Sequence, residues 1–151
     1  MNIYVAVGIF GIISNFVAAL ADLPLIKPGK PGENENISLN GVQPWWAEVP
    51  TERFKLSFWL SFFGQPGAYV TLWLLADLIV KQSTPLAVAL KINTLIGCYT
   101  GLLCHMYFCM KPLIYQKLSK KMSDSECDEI LQAIDPITKI PMLIGGLTLW
   151  L

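Results

Sequence analysis

The chain of 151 residues is poor in charge: only 15% of it is Asp, Glu, Lys or Arg, against about a quarter in an ordinary soluble domain. It contains one histidine, and its 11 basic residues balance its 11 acidic ones. Zero net charge, with no basic and aromatic-interleaved patch, removes the electrostatic basis for binding nucleic acid. The four cysteines form no CxxC pair and no zinc-type spacing. Cys98, Cys104 and Cys109 fall in an apolar run and Cys127 stands alone in a polar segment, so they read as small apolar residues, not as a disulfide frame or metal site. No specific catalytic or cofactor motif occurs, and no catalytic residue, cofactor or metal is expected.

Long uncharged runs are what the sequence has instead. Ile3 to Ala21 is 19 residues without a charge, Leu56 to Ala76 is 21, and Ile92 to Met110 is 19 with His105 inside it. Helices of that length rise about 28 to 32 Å, the thickness of a bilayer's hydrocarbon core. The sequence therefore predicts an all-α transmembrane helical bundle, one membrane domain with full spans at about 3–21, 55–80 and 85–110. Ile140 to Leu151 adds 12 apolar residues, too few to cross as a helix. This segment reads as a truncated fourth span, and the chain as the N-terminal part of a longer protein; a re-entrant or interfacial end is the alternative. Ala19-Leu20-Ala21 has the small-x-small form of a signal cleavage site. The run is longer than a signal core and no Lys or Arg precedes it, which favours a retained span.

Two polar segments, 22–54 and 111–139, separate the runs. The first begins at Asp22-Leu23-Pro24, and its 27–44 part, rich in Pro, Gly and Asn, reads as an exposed loop. Thr51 is expected to cap the second helix, with Glu52 in its first turn. Gly64-Gln65-Pro66-Gly67 at that helix's midpoint predicts a kink. Pro85 suits the first turn of the third helix. Asp77 and Lys91 then lie at similar depth on either side of a tight hairpin and are expected to form an intramembrane ion pair, with separate snorkelling to the interface as the alternative. Ser123-Asp124-Ser125-Glu126 has the capping-box pattern and opens a short amphipathic helix through Ile134, ended by Asp135-Pro136. Counting Lys and Arg beside the spans puts both polar segments in the cytoplasm and the N-terminus outside.

Helical spacing puts Gly8, Gly11, Asn15, Ala18 and Asp22 on one face of the first helix, and Ser57, Ser61, Gly64, Ala68 and Thr71 on one face of the second. Small residues permit close approach, so these stripes are expected to meet. Lys91, Cys98, His105 and Cys109 share a face of the third helix, with ligand spacing too wide for a metal and no orienting group for catalysis. A histidine hydrogen-bonded inside the bundle is the reading preferred there. The candidate ligand site lies at the stretch QPWWAEVPTERF, residues 43 to 54. Trp45 and Trp46 would line a mouth above Asn15, with Gln65 below, and Arg53 would pair with Asp22 or Glu48. The competing reading is an interfacial collar of tryptophans and flanking charges.

The short N-terminus, the Asp-Leu-Pro exit from the first span, the tryptophan-rich loop and Pro-Thr-Glu-Arg-Phe leading into the second span resemble uncharacterised multi-pass bacterial integral membrane proteins, domains of unknown function, over about residues 1–110. The resemblance implies a helical membrane bundle of about six spans in the intact protein, located in the bacterial inner membrane, and no catalytic residue to carry over. The functional expectation is a non-enzymatic module that binds a small molecule or partner. Part of a secondary transporter is one alternative, from the Gly-Gln-Pro-Gly break with Asp77 and Lys91; an intramembrane lipid-modifying enzyme using His105 is another. The expected partners are the bilayer itself and a second copy or another membrane protein.

Overall fold

The computed structural model describes residues 2–26 and 42–148. The described residues form five α-helices, α1 (Ile3–Leu20), α2 (Thr51–Ile79), α3 (Thr84–Leu118), α4 (Asp124–Ile134) and α5 (Pro136–Thr148), with short 3-10 turns at Leu23–Leu25 and Pro44–Ala47. No strand occurs among the described residues. α2 packs against α1 on one side and α3 on the other, and α5 lies along α3.

Local chemistry sets most of the helix ends. Asn2 caps α1 by accepting the Tyr4 N–H at 3.0 Å, and Ser83 caps α3, with Pro85 in its first turn. The Ser123 and Glu126 side chains close a full capping box on α4. These hydrogen bonds hold the exposed Glu126 carboxyl below its usual range. Thr51, in contrast, is not the cap of α2: Pro50 occupies that position with no side-chain bond, and the Thr51 hydroxyl instead donates to Gln116 Oε1 at 2.8 Å. α2 also remains one helix through Gly64-Gln65-Pro66-Gly67.

The segment expected to be a polar connection from 111 to 139 is mostly helix. α3 continues through Lys111 and Pro112 to Leu118, because Lys111 is buried against Asp135 at 2.7 Å and the Pro112 ring packs inside. α4 ends at Ile134, just before Asp135-Pro136 as expected, and Pro136 then begins α5, since proline is tolerated in a first turn. The fourth apolar segment therefore starts before Ile140. Most of the expected 27–44 loop, residues 27–41, lies outside the described residues.

Packing differs from end to end. The α1–α2 seam is built of small residues: a Cβ added at Gly64 would meet the Ala18 backbone nitrogen at 2.6 Å, and one at Gly11 would meet Thr71 Oγ1 at 1.7 Å. Most of the side chains buried along the helices are small or polar, among them Ser14, Ser57, Ser61, Thr94 and Thr100, while Ile9, Ile12, Phe16, Phe63, Ile92 and Leu103 face outward. Large buried hydrophobics gather at one end, where Trp45, Trp46, Phe54, Tyr115, Cys127 and Leu131 form one cluster. Among the described residues two stretches, Ile3–Leu25 and Thr84–Leu118, are long and apolar enough to cross a membrane. α2 has the length but is not among them; Gln65, Pro66 and its serines and tryptophans dilute its apolar content.

Candidate functional site

The cluster at the end of the bundle is a small folded cap, and α3 builds much of it. Gln116 donates its amide to the Trp46 carbonyl at 2.7 Å and the Val49 carbonyl at 2.8 Å, fixing the tryptophan turn on the helix. The Trp46 ring meets Tyr115 edge-on, with centroids 5.8 Å apart. Trp45 tilts against Phe54 at 6.2 Å and donates its indole N–H to Gln43 at 2.7 Å. Asp128 on α4 accepts the Val42 N–H at 2.9 Å, and Tyr115 donates to Asp124 at 2.7 Å. Arg53 bonds the carbonyls of Pro24 and Ile26, so it ties off the 3-10 turn after α1 and pairs with neither Asp22 nor Glu48. Glu48 is exposed and takes no part in the cavity below.

Between this cap and the bundle lies a cavity of about 350 Å³, lined by Asp22, Leu25, Ile26, Gln43, Trp46, Phe54, His105, Phe108, Lys111 and Pro112. Its walls are aromatic and aliphatic, and its polar groups are a carboxylate, an imidazole, an amide and an ammonium. Concave, largely apolar sites with few placed polar groups are the usual form of small-ligand pockets.

His105 is the centre of the polar wall. Its ring is buried, with Nδ1 3.2 Å from Asp22 Oδ1 and Nε2 3.0 Å from Ser57 Oγ. Ser57 has one hydroxyl proton, which it donates to the Ala21 carbonyl at 2.6 Å. Nε2 must therefore donate to Ser57 Oγ, which also accepts from the Cys109 thiol at 3.2 Å. The Asp22 carboxylate can only accept from Nδ1. Both ring nitrogens donate, and the geometry calls for an imidazolium paired with Asp22. One hydrogen-bonded unit thus joins α1, α2 and α3.

The linkage of Asp to His to Ser invites comparison with a hydrolytic triad, but the roles do not match. In a triad the serine gives its proton to a free histidine nitrogen and faces the substrate. Here Ser57 is fully buried and its proton is committed to the backbone.

On the far side of Lys111, the Asp135 carboxylate accepts from the ammonium at 2.7 Å and from the Tyr107 hydroxyl. Burial alone would raise the Asp135 carboxyl, but the hydrogen bonds from Lys111 and Tyr107 outweigh it and hold the group below its usual range.

Of the residues proposed from sequence, Asp22 and Trp46 reach the cavity, while Trp45 supports it from behind and Arg53 braces its rim. Asn15 and Gln65 line a different cavity deeper in the bundle. Lys91 pairs with Asp77 at the opposite end of α2 and sits 5.2 Å above the Trp73 ring. Phe108 and Lys111 stand outside the residues expected from sequence, Gln43 lies within the 43–54 stretch without an assigned role, and nothing local joins His105 to Asp22 and Ser57. A residue spacing of 48 positions between Ser57 and His105 leaves no local signal of such a contact.

A family model described as a family of unknown function (DUF6796) matches residues 1–151. The chain belongs to DUF6796. Membership covers all of the cap and the bundle, including the 111–151 part that the sequence resemblance left aside. No curated protein and no solved structure matches this DUF6796 chain.

Proposed function

We propose that this protein is a multi-pass membrane module that binds a small polar molecule with an apolar or aromatic body in the cavity beneath its cap. The observation that carries the binding reading is the His105 wall. A buried imidazolium, the exposed Asp22 carboxylate and the Gln43 amide face the same 350 Å³ space as Trp46 and Phe108.

The membrane reading is supported by the inverted packing. Small and polar side chains lie between the helices while bulky aliphatic and aromatic ones face out, as expected where the solvent is lipid and helix association rests on close contact and hydrogen bonds. In this reading α1, α2 and α3 cross the bilayer and α5 is a fourth, shorter apolar helix beside α3. The cap and the basic residues near it lie on the cytoplasmic side.

The full-length protein extracted from membranes in mild detergent should carry a bound small molecule detectable by native mass spectrometry. Trp46→Ala and Asp22→Asn should each lose that mass while the protein still unfolds cooperatively. A protein that retains nothing, and whose stability does not respond to any member of a metabolite panel, would refute the binding reading. Release from membranes by alkaline carbonate would refute the membrane placement.

A further inference from the structure

The second cavity, about 410 Å³, is a groove floored by the middle of α2 and flanked by α1 and α3. α1 and α3 each pack on α2 but make no comparable contact with each other, so the groove runs between them. Asn15 from α1, Gln65 and Tyr69 from α2, and Gly101 from α3 line it, and no charged residue does so among the described residues.

We propose that this groove binds a neutral amphiphile through a hydroxyl group held by Gln65. Gln65 Oε1 is buried without a hydrogen-bond partner among the described residues, although an amide of this kind deep in an apolar helix normally finds one. Gly101 approaches it closely without a side chain: a Cβ there would lie 3.3 Å from Gln65 Oε1, a tight contact, and 3.6 Å from the Tyr69 hydroxyl, so two polar groups from successive turns of α2 converge on bare backbone. Asn15 directs its amide N–H to the Gly11 carbonyl at 2.8 Å, which leaves its own carbonyl oxygen as an acceptor. Thr71, whose hydroxyl is also buried without a partner among the described residues, and the Tyr69 hydroxyl add donors to these acceptors, so the groove, with no counter-charge in its described wall, suits a neutral group that both donates and accepts. A hydroxyl both donates and accepts, so it satisfies either end of the Gln65 amide. Ala18, Ala68 and Leu72 supply the apolar wall for the rest of the molecule.

The test uses the full chain in mild detergent, a photoreactive diazirine analogue of octanol as the probe, and octanol or octyl methyl ether as competitor. The ether has the same apolar body but cannot donate. Label should map to the 65–72 segment or to Gly101, and octanol should displace it. The ether should compete about fivefold to tenfold less well, the worth of one hydrogen bond. Gln65→Leu should lose the label, and so should Gly101→Leu, which fills the groove with Gln65 intact. Equal competition by the ether, label confined to other sites, or protection by sodium chloride but not by octanol would each overturn the proposal. The competitor comparison needs only the unaltered chain, so it stands even if a variant fails to fold.

Discussion

Asp135 shows how much rests on single side chains. Its partner Lys111 is 3% exposed, so Asp135→Asn leaves an ammonium buried without that counter-charge. Loss of one partner of such a pair typically costs about 3–5 kcal/mol, and thermal unfolding in detergent should show a destabilisation of that order. The pH dependence has a definite sign. The folded carboxyl titrates below its ordinary value, so its contribution is complete above the normal carboxylate range and is lost as pH falls through the lowered folded value. Stability of the unaltered protein should drop in that acid window, and the Asp135→Asn variant should lack that component of the drop. Ser57→Ala is the companion case. It removes the acceptor for His105 Nε2 and the Cys109 thiol together with a donor to Ala21, and should destabilise by about 1–3 kcal/mol. At this scale the sequence was partly legible. Asp22 and Trp46 are legible from their place in the polar segment between two uncharged runs, but His105 cannot be joined to them from sequence, because its partners are brought in by two other helices.

Among the elements, the α1–α2 seam is the sharpest constraint. Gly64→Ala would set a methyl 2.6 Å from the Ala18 backbone nitrogen, whereas Gly8→Ala meets nothing within 4 Å. Overpacking of this kind costs about 1–3 kcal/mol. Denaturant unfolding of the two variants should therefore show Gly64→Ala destabilised by that amount and Gly8→Ala close to the parent; equal behaviour would mean that α1 does not lie where Gly64 receives it. These stripes were readable because helical periodicity needs only the local sequence, and the capping box at Ser123 was readable for the same reason. The length of α3 was not. A lysine followed by proline is an ordinary stop signal, and it fails here because Asp135, 24 residues further along the chain, neutralises Lys111.

For the molecule as a whole, class and helix order were legible from the uncharged runs, while the cap was not. It depends on Trp45, Phe54, Tyr115 and Leu131 meeting from four separate elements, and no periodicity within one element encodes that meeting. The membrane reading gives a topological expectation. In sealed vesicles, an impermeant amine reagent should modify Lys117, Lys120 and Lys121 from one side and Lys81 from the other, with mass spectrometry identifying the sites. Labelling of both groups from the same side would contradict the proposed arrangement.

The length of α3 has a further consequence for how the cap cavity fills. Its 35 residues measure about 52 Å at 1.5 Å per residue, well beyond the roughly 30 Å of a hydrocarbon core. In the proposed membrane placement the final turns, which carry Lys111, Tyr115 and Gln116, stand at or above the headgroups, and the cavity beside them opens at the boundary with water. A ligand of the proposed kind would reach that placement from the aqueous pool, so its occupancy should follow its free concentration and be indifferent to how well it dissolves in lipid. The site proposed at Gln65 would be fed from the other reservoir, and its occupancy should rise with the partition coefficient of the molecule offered.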